Sequence, residues 1–158
     1  EDILAQDEEG QIGLVVFAGD AFTVTPLTRD ADTIRAQLRA LEPGIMPSQG
    51  SRADLGLEQA LELLRQAGVE KGQVILIADG VEGDLAVDAA ERIAEAGHSV
   101  SVLGLGTAQG APIHDRLGNM LRDRSGKPVI ATLDEETLRR VARTISSMSR
   151  PLLGRSPR

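Results

Sequence analysis

Apolar and polar positions recur along the chain with two different periods, and the switches between them mark out its elements. Residues 12–18, IGLVVFA, form an almost unbroken apolar run, Gly19-Asp20 is a tight-turn pair, and residues 22–28, FTVTPLT, alternate. The pattern predicts a hairpin. Pro26 has no N–H to give to a ladder, so the second strand should lie at a sheet edge. The period then becomes helical: Asp30 stands as an N-cap before Ile34, Leu38 and Leu41, which share one face until the EPG at 42–44 stops it. Leu57, Ala60, Leu61 and Leu64 fall at i, i+3, i+4 and i+7, and Gly68 ends that second helix. A strand at 73–78, a helix with Ala86, Ala89, Ala90 and Ile93 inward and Gly97 as its stop, and a strand at 99–103 follow. Strand, helix, strand, helix is the order of an α/β, Rossmann-like fold: a mostly parallel sheet with one antiparallel edge from the hairpin and helices on both faces.

The remaining pattern differs. Residues 119–133 read as an irregular hairpin around Ser125-Gly126, and Thr132 with Glu135 makes a capping-box pattern before a last helix with Leu138, Val141, Ala142 and Ile145 inward. Residues 146–158 are polar, basic and punctuated by proline and glycine, so the domain should span 1–145, with 146–158 a flexible tail or linker.

Composition narrows the function. At 158 residues and 41% apolar content, the chain supports one domain with a real core rather than two. It has no cysteine and two histidines, so disulfides, thiolate sites and a His-rich zinc centre fall away, and a metal would be held mainly by oxygen. The formal charge of −7, with Phe17 and Phe22 as the sole aromatics, argues against nucleic acid as a partner. No apolar run approaches the roughly 20 residues of a membrane span. The opening EDILAQDEEG lacks the basic start and apolar core of a signal peptide.

Against that background VILIADGVEGD, residues 74–84, stands out, because an apolar strand stops at an aspartate. Burying an unpaired charge is costly, so Asp79 should sit at the strand's exit, where water, a partner or a metal satisfies it. In an open parallel sheet that exit is where ligands bind. The cluster QGSRAD, residues 49–54, precedes the second helix and could bring Ser51 and Asp54 to the same crevice. Hydroxyl plus carboxylate suits Mg²⁺. The alternative is structural: Ser51 or Asp54 caps the helix, and Asp79-Gly80 is an ordinary strand-to-helix turn.

Other motifs carry less. GLGTAQG, residues 104–110, resembles a dinucleotide fingerprint and suggests a nucleotide-binding enzyme as the alternative function, but a phosphate cradle needs a helix directly behind the glycines, and Pro112 and Gly118 predict a loop. The Gly-Lys of DRSGKP lacks the earlier glycine of a P-loop. His98, between helix and strand, and His114, beside Asp115, have no nucleophile in defined relation to them. Arg122, Arg124 and the arginines of LRRVAR read as solvated faces or part of an interaction surface.

The segments GLVVFAGDAFTVTPLTRD, IMPSQGSRADLGLEQALELL, VILIADGVEGD, GLGTAQGAPI and DRSGKPVIATLDEETLRRVA come in an order that resembles a von Willebrand factor A domain, in particular the bacterial aerotolerance (Bat-type) group. The resemblance spans residues 13–142. It implies that Asp79 is an aspartate of a metal-ion-dependent adhesion site holding Mg²⁺, or Mn²⁺, largely through water. Ser51 falls where the family has a threonine ligand, and Asp54 would share or take that role. It further implies a non-enzymatic interaction module whose metal takes a carboxylate from a partner protein. Its parent would be anchored at the periplasmic face of a bacterial inner membrane and work beside MoxR-type ATPases. The family's Asp-x-Ser-x-Ser motif is absent from these residues, so any metal affinity should be weak. By the same resemblance, the strand that carries that motif would pair between residues 12–18 and 73–78, and without it self-association through unpaired strand edges is expected.

Overall fold

The computed structural model describes residues 10–42, 46–81, 84–106, 110–112, 119–120, 122, 126–128, 130–131 and 133–148. β1 (Ile12–Phe17) and β2 (Ala21–Thr28) form the expected antiparallel hairpin, with Phe17 opposite Ala21 and register shifts between Ile12 and Val15. Pro26 is exposed on β2, which among the described residues pairs with β1 alone. α1 (Ala31–Ala40) starts as predicted: Asp30 Oδ1 accepts the N–H groups of Asp32 at 3.0 Å and Thr33 at 3.1 Å. Its inner face is shorter than its periodicity suggests. Ile34 is buried, but Leu38 is 42% exposed. α1 packs on β1 and β2, and two strands about 5 Å apart are a narrow platform for a helix about 15 Å long.

α2 (Ala53–Gln66), β3 (Gln73–Ala78), α3 (Leu85–Glu95) and β4 (Ser99–Gly104) form the α/β part. β3 and β4 pair in parallel, from Gln73 opposite Ser99 to Ala78 opposite Gly104. α2 and α3 end at Gly68 and Gly97, both in the left-handed region that glycine reaches without strain. α3 packs between α2 and α4 (Glu135–Met148). Its inward alanines, Ala86, Ala89 and Ala90, are short enough for close helix approach. With Ile93 they join Leu57 and Leu61 of α2, Leu76 of β3, Val100 of β4 and Leu138 and Val141 of α4 in one core.

The late hairpin is met in part: β5 (Ala111–Pro112), which precedes the 119–133 segment, pairs antiparallel with β6 (Ile130–Ala131), and within that segment Arg122 bridges Pro128 and Arg122 Nη1 donates to the Gly126 carbonyl at 2.7 Å. Asp134 lies at the entry of the helix behind it, with Oδ1 accepting the Thr137 N–H at 3.2 Å and its carbonyl accepting the Leu138 N–H. Asp134 directly precedes Glu135, so its carboxylate is one turn from Thr137, where a capping acceptor belongs. Thr132, Ser125, His114, Asp115 and the end of the tail lie outside the described residues. α4 itself continues to Met148.

The parallel component and the antiparallel edge occur as separate ladders. Among the described residues β1 is hydrogen-bonded to β2 and β3 to β4, but β1 and β3 are not bonded to each other. β3 is apolar on both faces and covered on one: Leu76 and Ala78 are buried, whereas Ile75 is 38% and Ile77 47% exposed.

Candidate functional site

The site predicted from sequence depends on whether Ser51, Asp54 and Asp79 reach one edge, and the path of α2 decides this. α2 begins where β1 ends: the Arg52 N–H donates to the Ala18 carbonyl at 2.8 Å, and Gly56 lies against the Phe17 ring, where a Cβ would stand 2.9 Å from it. The helix runs about 21 Å to the turn at Gly72, whose backbone packs on Leu64. β3 then returns about 20 Å alongside α2. Asp79 therefore leaves β3 level with the start of α2, at the end of the fold that carries Ser51 and Asp54. Two elements of matched length thus bring the three residues to the same end of the fold.

The three residues differ in how they are held. Asp79 is exposed at a bend, its carbonyl accepts the Asp134 N–H at 2.9 Å, and its carboxylate makes no hydrogen bond or ion pair among the described residues. Ser51 is half-buried in the segment entering α2, and its carbonyl accepts the Ala53 N–H at 2.8 Å. Asp54 is buried in the first turn of α2 and committed to a neighbour: Arg52 Nε donates to Oδ1 at 2.9 Å and Arg52 Nη2 to Oδ2 at 2.7 Å. These bonds hold the Asp54 carboxyl below the usual carboxylate range, against burial, which acts in the opposite direction. Neither Ser51 nor Asp54 is the N-cap of α2. Arg52 occupies that position without a side-chain cap.

As a donor set this favours a hard cation only in part. Asp79 and the Ser51 hydroxyl offer oxygen, whereas Asp54 faces a guanidinium that repels a second cation. No group of three or more His, Asp or Glu side chains suited to a metal comes together among the described residues.

Two residues of this edge were not singled out from sequence. Arg52 lies two positions before Asp54, a separation with no helical pairing rule, so only the turn into α2 makes the pair. Asp134 was legible by type, as an aspartate directly before a helix. Hydrogen bonds from the Thr137 side chain and backbone hold its carboxyl below its ordinary range. It joins α4 to the exit of β3.

The glycine-rich loop has a packing explanation. A Cβ on Gly104 would stand 3.1 Å from Leu133 Cδ1 and 3.3 Å from Leu138 Cδ1, so the glycine admits the entry of α4. Gly110 leads into β5, not a helix, which removes the helix N-terminus that a phosphate cradle needs. An open cavity of about 400 Å³ lies at the other end of β3 and β4, lined by Lys71, Gly72, Gln73, Gly97, His98 and Ser99. It is remote from Asp79.

The family model described as von Willebrand factor type A domain matches residues 1–82, from before β1 to just past Asp79. The chain belongs to the von Willebrand factor type A family. Among solved structures, this VWA domain is similar to BatB from Bacteroides thetaiotaomicron, at 34% identity and a TM-score of 0.81 over 91% of this chain and 72% of that one. It is also similar to an aerotolerance-related membrane protein from Bacteroides fragilis, at 30% identity and a TM-score of 0.83 over the same shares. A protein of Borreliella burgdorferi described as uncharacterized is 30% identical over 129 residues, 78% of this chain. The chain spans 35% of that relative's length. The solved neighbours place it with the Bat-type VWA domains, an assignment that fits interaction modules. No described helix is long and apolar enough to cross a membrane.

Proposed function

We propose that this VWA domain is a non-enzymatic protein-interaction module that binds its partner through a divalent ion at the carboxyl edge of β3. The observation that carries the reading is the exposed Asp79 carboxylate at the exit of β3, unengaged by any described side chain. Asp79 and Ser51 would hold Mg²⁺ or Mn²⁺ weakly, water would fill most of the remaining positions, and a carboxylate from the partner would complete the shell. Such a metal supplies a fixed positive charge and open coordination positions. The chain's own contribution is to hold Asp79 at the strand exit through the Asp134 N–H, leaving the carboxylate free to face a partner. Asp54 would join the ligands only by leaving Arg52. Similarity to BatB and to an aerotolerance-related membrane protein supports a membrane-associated bacterial parent. The periplasmic face as location and a MoxR-type ATPase as partner belong to this proposal.

Titration calorimetry and Mn²⁺ relaxation on the chain and on Asp79→Ala test the site. The expected result is weak binding by the first and none by the second, with unfolding curves that coincide within about 0.5 kcal/mol because an exposed strand-exit charge adds little packing. Equal binding by both forms would remove Asp79 from the site.

A further inference from the structure

The second edge of the fold holds a histidine that the candidate site leaves unused. His98 is 7% exposed, between α3 and β4, and its Nδ1 accepts the backbone N–H of Gly72 at 3.0 Å. An imidazole nitrogen that accepts cannot carry a proton, so the neutral ring has its proton on Nε2. The bond belongs to a closed set: the Ser99 N–H donates to the Gly72 carbonyl at 2.9 Å, and the His98 N–H donates to the Ile93 carbonyl at 3.1 Å. Together they fasten the turn entering β3 to the turn entering β4. Gly72 admits no side chain, since a Cβ there would stand 2.6 Å from Leu64.

We propose that His98 is an acid-sensitive latch on the amino-terminal ends of β3 and β4. Histidine is the side chain whose charge changes within the physiological pH range. A proton added at Nδ1 turns the acceptor into a donor that faces the Gly72 N–H across 3.0 Å, so that bond is lost, the Gly72 N–H is released, and the turn is held by the Ser99 bond to the Gly72 carbonyl. Lys71 shares the cavity wall with His98, and the other charged residues of the elements that meet there are Glu70 in the turn before β3, Arg65 in the last turn of α2, and Arg92 and Glu95 in the last turn of α3. Arg92 is paired with Glu58, and no carboxylate among the described residues is ion-paired to the imidazole to hold a charged ring in place. The latch is independent of any metal at the opposite edge.

The test is ¹⁵N spectroscopy of the imidazole with amide exchange at Gly72, between pH 7.5 and 5.0. The expected result is an Nε2–H tautomer at pH 7.5. On acidification, exchange at Gly72, corrected for its intrinsic pH dependence, should accelerate at least about tenfold more in the natural chain than in His98→Asn, whose Oδ1 keeps an acceptor that does not titrate. Parallel pH responses of the two forms would overturn the latch, as would a proton on Nδ1 at pH 7.5. If His98→Asn does not fold, the natural chain decides alone: proton uptake at Nδ1 with Gly72 exchange unchanged would overturn it.

Discussion

Arg52→Ala is expected to destabilise the fold by about 2–3 kcal/mol at neutral pH, more than Asp54→Ala does. The asymmetry comes from exposure: the Asp54 side chain is 7% accessible and the Arg52 side chain 37%. An abandoned Arg52 can hydrate where it stands, whereas an abandoned Asp54 carboxylate stays buried without its bidentate partner. Arg52's one-third exposure places the loss below the 3–5 kcal/mol typical of a fully buried pair. The pH dependence has a definite sign. In the natural chain the Asp54 carboxyl lies below its ordinary range, so its contribution is present above the unfolded value near 3.9 and is lost as pH falls through the lower folded value. In Arg52→Ala the largest lowering contribution is gone and burial is opposed only by the backbone N–H groups of Leu55 and Asp54, so acid costs the variant less than the natural chain. Urea unfolding at pH 7 and near pH 3.5 should show the gap between the two proteins closing. A gap of constant size would mean that Arg52 acts through packing.

The same pair explains why the candidate site was half legible. Asp79 could be placed at a strand exit because VILIA is apolar without interruption and the carboxylate ends it, a pattern with one inexpensive solution. Periodicity also located α2, β3, α3 and β4, since Leu57, Leu61, Ala86, Ala89 and Ile93 each had to face one core. What periodicity could not supply was the state of each side chain at the edge. Asp54 reads in sequence as a ligand or a cap; it is not the cap, and the turn at Arg52 commits its carboxylate to an ion pair. Leu38 failed for a related reason: its helical face was correctly identified, but the hairpin beneath it is too narrow to cover it. Both outcomes depend on how wide or how sharply turned the neighbouring backbone is. A residue's type and spacing do not encode that.

Concentration-dependent self-association of the chain is the second large effect expected, and β3 is its source. Ile75 and Ile77 project from the face that neither α2 nor α3 covers, and the β3 edge away from β4 has no partner strand among the described residues. Such an edge presents a row of backbone donors and acceptors whose burial without partners is costly, so it recruits other strands. The edges are not equally guarded. β2 carries Pro26, which cannot complete a ladder, whereas β3, QVILIA, has neither proline nor charge. Opposing association is the chain's formal charge of −7, carried by every copy. Salt should therefore raise the associated fraction, because screening shortens the range of that repulsion to about 8–10 Å at 0.10–0.15 M while leaving apolar contact intact. Light scattering across a dilution series at low and moderate salt measures this, with the double variant Ile75→Lys, Ile77→Lys as the control. The variant adds two positive charges and removes the apolar row, yet both positions are already exposed, so its fold should survive. It is expected to remain monomeric at concentrations where the natural chain grows in mass. A natural chain that stays monomeric throughout, at either salt, would show that this edge is satisfied within a single copy.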